Sequence, residues 1–250
     1  MAPFGASRAG LMSVAADDIP DSEADQKLIH RWVMDEGEGT IVEDTVGDED
    51  GTIQGNVDWT SGNFIEETAL DSPGGSGDLV EFGTLGDFGS NMASDFAVAY
   101  TIVLDDANGE GLMWNRLDSG TELNISLGGS SGVSTDTPVF GFRDDTEDRV
   151  YANSTESIAD GEPRRIVCNK TGNSASDLEI WINKTETAEV NRDEGVDTSE
   201  LSNFDQDLPL FARNIQGSLG EWIDCVIDDV CFFNDSLTQS EIESYDNPWD

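Results

Sequence analysis

The sequence predicts an all-β domain, a two-sheet antiparallel β-sandwich of jelly-roll type with an extended N-terminal arm and a short C-terminal helix. Three observations predict it. About a dozen short segments rich in β-branched and aromatic residues follow one another at hairpin spacing. Glycine, at 26 of 250 residues, is found repeatedly between these segments, as expected at turns. Helical periodicity of any length and internal repeats are both missing from the sequence, which argues against bundles, solenoids and Rossmann folds.

Residues 1–26 are predicted to be an arm or anchor outside the domain. They are small, polar and acidic, include Pro3 and Pro20, and show no apolar pattern that would support a core. Two interpretations stay open: a disordered tail, or a segment that becomes ordered only against a partner. The arm has no pattern of a secretory signal, and no run of about 18 apolar residues predicts membrane insertion. Residues 27–250 are predicted to form the jelly-roll domain.

The first half of the domain alternates short strands with glycine-rich turns. Leu28–Asp35 alternates as a strand, and Asp78–Phe82 is another. Phe96–Leu104 is the longest apolar segment, so it is predicted to be a central strand buried on both sides. Asn108-Gly109 predicts a hairpin turn before a strand at Gly111–Leu117.

The second half continues the same pattern up to a closing strand and helix. An acidic loop is predicted at Asn191–Glu200. The predicted strands of this half are Glu122–Leu127, Val139–Arg143, Arg149–Ala152, Pro163–Asn169, Leu178–Asn183 and Leu208–Ala212.

The closing stretch Trp222–Tyr245 predicts a strand followed by one short helix. Period-two spacing predicts that Ile223, Cys225, Ile227, Cys231 and Phe233 share one face of the strand. Thr238 and Glu241 have the spacing of a capping box, and Leu237 and Ile242 that of a hydrophobic staple. Asp229 is an anomaly on this apolar face, so either a partner satisfies it or a bulge turns it outward.

The charge balance is extreme, with 53 acidic and 12 basic residues and a formal net charge of −41. Acidic residues spread along the whole chain indicate a halophile's protein, kept hydrated in molar salt by its carboxylates. The alternative, an acidic disordered protein, conflicts with six tryptophans, eleven phenylalanines and regular strand patterning. This charge argues against nucleic acid as a partner. The three cysteines, Cys168, Cys225 and Cys231, lack a disulfide or zinc spacing and are predicted to be buried thiols.

Three stretches resemble laminin G-like, concanavalin A-like jelly-roll domains. The opening L-I-H-R-W-V-M-D-E-G-E-G-T with D-T-V-G-D-E-D-G-T-I is similar to their first-strand pattern. The middle A-D-G-E-P-R-R-I-V-C-N with D-L-E-I-W-I-N is similar to their D-G-x-W-H-x-V strand and the one after it, although the W-H pair is missing. The closing I-D-D-V-C-F-F-N-D-S-L-T-Q-S-E-I resembles their last strand and helix most specifically. The resemblance covers Leu28 to Tyr245 and implies the same jelly roll.

Catalysis is not expected. Glycosidases of this fold place acids as E-x-D-x-x-E, and that spacing does not occur here. The single histidine, His30, lies beside Trp32 in a strand and is predicted to be structural.

A structural Ca²⁺ is implied by the resemblance, and oxygen ligands are plentiful. Asp35 and Asp229 are the candidate metal ligands, since the first and last strands lie side by side in such folds. Asp106–Glu110 also resembles a fragment of a calcium loop. The alternative for each is a solvated carboxylate.

Sugar binding in jelly rolls uses aromatic and short polar side chains on one sheet or at the loop rim. Trp114, Tyr151 and Trp181 are the candidate ligand-binding residues because they lie in strands of the middle of the chain. The alternative is that each is a core residue.

The hypothesis favoured by these observations is a non-enzymatic surface protein (tail, fibre, spike or turret) of a virus that infects a halophilic archaeon. It would be synthesised in the host cytoplasm, anchored to other virion proteins through its arm, and would bind a host-envelope glycan or glycoprotein, as a homo-oligomer. The start M-A-P-F-G-A-S-R-A-G-L resembles the N-terminal anchors of laminin G-like phage virion proteins. Two alternatives are a cellular carbohydrate-binding or adhesion module and a purely structural capsid decoration protein.

Overall fold

The computed structural model describes residues 23–61, 68–84, 93–105, 111–116, 121–128, 136–196 and 207–244. Within them the chain forms strands throughout and one short α-helix, which confirms the predicted all-β sandwich. Helix α1 is Gln239–Ser244. The strands are β1 Leu28–Trp32, β2 Ile41–Val42, β3 Gly51–Gln54, β4 Asp58–Ser61, β5 Thr68–Pro73, β6 Leu79–Thr84, β7 Phe96–Val103, β8 Gly111–Arg116, β9 Glu122–Leu127, β10 Pro138–Arg143, β11 Arg149–Ser154, β12 Arg164–Lys170, β13 Leu178–Ile182, β14 Thr185–Glu186, β15 Ala188–Asp193, β16 Asp207–Leu210, β17 Ala212–Ile215, β18 Ser218–Gly220 and β19 Asp224–Phe233.

One layer of the sandwich is an eight-stranded sheet ordered β14-β13-β12-β7-β19-β5-β4, with β1 also paired to β19. Strand β7 lies between β12 and β19 and is antiparallel to both. Its residues are buried from Phe96 to Ile102, which confirms the prediction of a central strand covered on both sides.

The other layer is a seven-stranded sheet ordered β15-β11-β10-β9-β8-β17-β18. Its pairs are antiparallel except for the parallel pair β8 and β17. A further four-stranded sheet, β16-β6-β3-β2, was not predicted. Phe211 separates β16 from β17 and has a left-handed φ of 70°. The chain therefore leaves the small sheet at Phe211 and joins the seven-stranded one.

Aromatic contacts join the sheets across the main core. Phe96 of the eight-stranded sheet packs edge-to-face on Phe140 and Phe142 of the seven-stranded sheet, with centroid distances of 5.9 and 5.7 Å. Trp32 stacks on Phe82 of the small sheet with centroids 4.1 Å apart. Because all of these rings are fully buried, one hydrophobic core connects the three sheets.

A second hydrophobic cluster lies on the outer side of the eight-stranded sheet. The strands contribute Ala97, Ala99, Val167, Trp181, Cys231 and Phe233, and the segments packed against them contribute Ala24, Leu237 and Ile242. Thr238 and Glu241 form the predicted capping box, with Thr238 N donating to Glu241 Oε2 at 2.6 Å and Glu241 N donating to Thr238 Oγ1 at 3.3 Å. Lys27 Nζ binds the same Glu241 oxygen at 2.9 Å. Both ends of the described chain therefore pack on this sheet.

Strand β19 departs from the predicted alternation at a β-bulge. The register against β7 shifts between Asp228 and Cys231, and Asp229 adopts a left-handed φ of 46°. The extra residue moves all later side chains to the opposite face. Consequently Cys231 and Phe233 lie in the second cluster, while Ile223, Cys225 and Ile227 lie in the main core. The prediction that these five residues share one face was wrong.

The acidic loop predicted at Asn191–Glu200 begins too early, because Ala188–Asp193 is a strand paired with β11. The three cysteines are buried and free, as predicted. The Asn108-Gly109 turn, the Asp106–Glu110 segment and residues 1–22 lie outside the described residues. In the part of the chain that is described, no helix has the length and apolarity needed to cross a membrane.

Candidate ligand-binding face

The outer face of the seven-stranded sheet is polar because its strands alternate. In β9, Leu123, Ile125 and Leu127 point into the main core. Their neighbours Glu122, Asn124 and Ser126 therefore lie on the opposite face of the sheet, since successive side chains alternate sides. These three polar residues are nevertheless buried, with 3%, 5% and 0% of their surface exposed. The outer side of this sheet thus carries a row of buried polar side chains.

Strand register brings arginines to the same face of the sheet. Arg116 of β8 is opposite Glu122, Glu122 is opposite Arg143 of β10, and Arg143 is opposite Arg149 of β11. Arg143 is only 2% exposed, whereas Arg116 and Arg149 are half-buried. We name this surface the arginine face, and it consists of Arg116, Glu122, Asn124, Ser126, Arg143, Arg149 and Tyr151.

Tyr151 lies on the arginine face and contacts Glu122. Its Oη donates a 2.7 Å hydrogen bond to Glu122 Oε1. Gly141 of β10 is opposite Tyr151, and a Cβ added there would lie 2.1 Å from Tyr151 Cδ1. Only glycine therefore leaves room for the tyrosine ring at this position. Burial raises the pKa of Tyr151, and the adjacent Glu122 carboxylate raises it further, so the phenol stays a hydrogen-bond donor.

Several buried polar atoms of the arginine face have no hydrogen-bond partner in the described part of the protein. They are Arg116 Nε, Arg143 Nε, Arg143 Nη1, Arg149 Nε, Asn124 Oδ1 and Ser126 Oγ. A buried polar group left unsatisfied costs about 1–3 kcal/mol, and native interiors contain few of them. Six on one sheet face are the feature expected of a site whose partner is a ligand.

The structure separates the three aromatic candidates for sugar binding. Tyr151 lies on the arginine face, and Trp114 pairs through its backbone with Asn124 of that face, although its side chain is outside the described part of the structure. Trp181 instead lies on the outer side of the eight-stranded sheet, 7% exposed, in the second hydrophobic cluster. Its Nε1 donates to Glu179 Oε2 at 3.0 Å. The register thus brings Trp114 and Tyr151 to one sheet, and Trp181 is on the other.

Asp229 is the centre of a buried ion network on the eight-stranded sheet. Arg31 Nε donates to its Oδ1 at 2.7 Å, and Arg165 Nη1 donates to its Oδ2 at 2.9 Å. Burial alone would raise the pKa of Asp229, but the two guanidinium groups outweigh it and hold the pKa below its usual value. We name Asp229, Arg31 and Arg165 the Asp229 network.

The role of Asp229 as a calcium ligand stays a prediction, and the partners that the structure brings to it are arginines. Both carboxylate oxygens of Asp229 are bound by guanidinium groups, so the positive charge beside it comes from arginine. Asp35 is exposed, and its role as a metal ligand stays a prediction. Within the residues that the structure covers, no three histidine, cysteine or acidic side chains gather closely enough to hold a metal ion.

His30 has the structural role that was predicted for it. Its Nδ1 lies 2.6 Å from Asp44 Oδ2, and its ring stacks on Trp32 at a centroid distance of 5.5 Å. Asp44 also accepts backbone hydrogen bonds from Arg31, Val46 and Gly47. Burial raises the pKa of Asp44, yet these hydrogen bonds outweigh it and lower that pKa. The pair therefore organises the loop that follows Asp44.

The arginines of the face were not named from the sequence. A signal was present, because Glu122, Asn124 and Ser126 alternate with apolar residues and nine of the twelve basic residues are arginine. What joins these residues is the pairing register of four strands. That register depends on contacts between segments distant in sequence and could not be read from any single strand.

No protein-family model matches the sequence, and no curated protein is significantly similar to it. Solved structures do resemble the fold. Domain 4 of AbnA, a GH43 extracellular arabinanase from Geobacillus stearothermophilus, solved with arabinotriose, has a TM-score of 0.63 and 14% identity over 87% of this chain and 97% of that domain. The binding domain of Paraclostridial Mosquitocidal Protein 1 has a TM-score of 0.63 and 13% identity over 88% of this chain and 52% of that one.

A third similar structure is the receptor-binding domain of a botulinum neurotoxin C/D mosaic serotype. It has a TM-score of 0.60 and 14% identity over 87% of this chain and 50% of that one. This chain therefore spans about half the length of the two toxin chains. At such identities the likeness shows the fold alone. The chain has the β-sandwich fold that these carbohydrate- and receptor-binding domains share.

Proposed function

We propose that this protein is a non-enzymatic glycan-binding module that holds its ligand on the arginine face. One observation carries the proposal: six buried polar atoms on this face lack a partner among the described residues. Saccharides match such a surface because each hydroxyl can both donate and accept hydrogen bonds. Further support comes from the arabinanase domain of similar fold, which was solved with arabinotriose.

A binding role fits the arginine face better than hydrolysis does. A retaining or inverting glycosidase needs two carboxyl groups about 5–9.5 Å apart, one on each side of the scissile bond. Among the described residues of the arginine face the acid is Glu122, and its Oε1 is held by the Tyr151 hydroxyl. The nearby Glu147 is 72% exposed and pairs with Arg143 at 2.8 Å. Neither arrangement resembles a pair of catalytic carboxyls.

The proposal extends to where the module acts. The acidic composition supports a halophilic setting. The opening residues resemble virion anchors, which supports a surface protein of a virus of a halophilic archaeon, attached to the particle by residues 1–26 and facing a host-envelope glycan. Mass spectrometry of purified particles from the source culture tests this extension. The chain is expected among the particle proteins; finding it in host envelope fractions instead would favour the cellular adhesion module.

Glycan binding itself is tested on an array of microbial surface saccharides in molar NaCl. The wild-type protein is expected to bind a defined subset. Replacing Asn124 with leucine keeps the branching at Cγ but removes the Oδ1 acceptor and the amide donors, and it is expected to weaken binding about tenfold, the effect of one buried hydrogen bond. Arg164→Gln, on the other sheet, is the control and should bind normally, with melting curves confirming that each variant is folded.

If the folded wild-type protein binds no saccharide on the array, glycan recognition is wrong, and a capsid decoration role without a ligand takes its place.

A further inference from the structure

We propose that the ligand of the arginine face is an acidic saccharide, one whose carboxylate or sulfate group is bound by Arg116, Arg143 and Arg149. This inference rests on the proposed glycan-binding function and names its substrate class. Two observations support it: the unpartnered arginine atoms on this face are hydrogen-bond donors, and two of the arginines lie directly opposite each other.

The unpartnered atoms in the arginine row are all donors. Arg116 Nε, Arg143 Nε, Arg143 Nη1 and Arg149 Nε are buried, and a guanidinium group cannot accept a hydrogen bond. The strongest partners of such donors are anionic oxygens, which a planar guanidinium can bind through two parallel hydrogen bonds. Neutral hydroxyl groups would satisfy these donors less well.

The placement of charge supports the same ligand. Arg143 and Arg149 are directly opposite each other on neighbouring strands, with Cβ atoms about 4.5–5.5 Å apart in this geometry. Like charges in directly opposite positions destabilise a sheet. This occurs in a chain with 53 acidic residues, where a neutralising carboxylate is easily available. An anion bound between the two guanidinium groups would remove the repulsion.

The existing acidic neighbours leave room for such an anion. Glu147 binds Arg143 through Nη2, at 2.8 Å, and its side chain is 72% exposed. Glu122 lies between Arg116 and Arg143 in register, but its Oε1 accepts the Tyr151 hydroxyl. In the described residues, Arg116 and Arg149 form no ion pair, and Arg143 keeps two buried N–H groups without a partner.

The rest of the arginine face suits the hydroxyl groups of the same sugar. Asn124 Oδ1 and Ser126 Oγ are buried without partners among the described residues, and both can accept a hydroxyl hydrogen. They lie on β9 two and four residues beyond Glu122, which is in register with Arg143, so they are roughly 7 and 14 Å along the strand from the arginine row. An acidic oligosaccharide could therefore present the anionic group of one residue to the arginines and hydroxyls of that residue and the next to Asn124 and Ser126.

The net charge of −41 does not prevent binding of an anion in molar salt. The Debye length there is about 3 Å, so repulsion from distant carboxylates is screened. Direct contacts with buried guanidinium groups are screened much less.

The experiment measures binding of full-length protein to matched charged and uncharged probes in molar NaCl. The probes are oligogalacturonate with its fully methyl-esterified form, and dextran sulfate with dextran. We expect at least one charged probe to bind about tenfold or more tightly than its uncharged counterpart, the effect of hydrogen bonds to a charged group. Arg149→Gln and Arg116→Gln are each expected to remove that preference, while Arg164→Gln retains it.

The outcomes separate this inference from the proposed function. Equal binding of charged and uncharged probes, with Arg149→Gln unchanged, would overturn the acidic ligand and leave glycan binding intact. Loss of all saccharide binding in the wild type would overturn both. Light scattering adds a third outcome: an oligomer that Arg149→Gln dissociates, without charged-probe binding, would mean that the arginines meet acidic residues of a second copy.

Discussion

The outer faces of the two sheets use arginine in opposite ways. On the eight-stranded sheet, Arg31 and Arg165 both bind the carboxylate of Asp229. On the seven-stranded sheet, Arg143 and Arg149 lie opposite each other, and buried N–H groups on both lack partners in the described chain. On the eight-stranded sheet one buried carboxylate is shared by two arginines, whereas on the seven-stranded sheet Arg143 pairs only with the exposed Glu147 and the Arg149 side chain has no carboxylate partner among the described residues. We therefore interpret the first arrangement as a structural cluster and the second as a candidate binding site.

The largest loss of unfolding free energy is expected when the Asp229 network is broken. Asp229→Asn keeps the shape of the side chain but leaves two guanidinium groups, one of them only 6% exposed, without a counter-charge. Removing one partner of a buried ion pair costs about 3–5 kcal/mol. Urea unfolding at constant molar salt should show this loss.

The matched control is Asp160→Asn, which breaks the exposed pair between Asp160 and Arg164. Exposed pairs contribute little, so this variant should stay within about 1 kcal/mol of the wild type. An Asp229→Asn protein as stable as the control would mean that the network does not stabilise the fold.

Asp229 shows which features of the structure could be predicted from the sequence. The sequence predicted that something must satisfy this carboxylate or that a bulge must turn it outward, and the structure has both a bulge and two partners. The capping box at Thr238 and Glu241 was also predictable, because its chemistry is contained within four consecutive residues. Local patterns of this kind determined the strands, the central position of β7 and the closing helix.

The partners of Asp229 could not be predicted in the same way. Arg31 and Arg165 are 198 and 64 residues away in sequence and meet it only because β1 and β12 flank the strands around it. The arginine face had the same difficulty, since its residues come from four strands. A bulge adds a further uncertainty, because one extra residue reverses the faces of everything after it, as it does for Cys231 and Phe233.

A smaller effect is expected from pH, because the stability that Asp229 contributes depends on its ionisation. The pKa of Asp229 is held below the ordinary value of 3.8 in the folded protein. A carboxylate with a lowered pKa contributes stability that is fully present above its unfolded pKa and is lost as the pH falls through the folded one. The difference in unfolding free energy between wild type and Asp229→Asn should therefore be constant above about pH 5 and shrink below pH 3.8.

Using this difference cancels the effect of the other carboxylates, which titrate in both proteins. Urea unfolding of the pair at several pH values provides the measurement. A difference that grows on acidification would contradict the lowered pKa.

The smallest expected change in the free energy of unfolding is a gain in stability, and it is expected for a substitution on the arginine face. Arg149→Gln removes one of two like charges that lie opposite each other, so without ligand the variant should be as stable as the wild type or more stable by about 0.2–1 kcal/mol. The same substitution in the Asp229 network, Arg165→Gln, should destabilise by about 3–5 kcal/mol, because it leaves a buried carboxylate with one partner fewer. Urea unfolding in ligand-free buffer compares the two.

If Arg149→Gln were also strongly destabilising, the Arg149 guanidinium would have a structural partner, and the contrast between the two faces would fail. A neutral or stabilising result together with lost binding of an acidic saccharide would instead show that this arginine is retained for its ligand, at the expense of the fold.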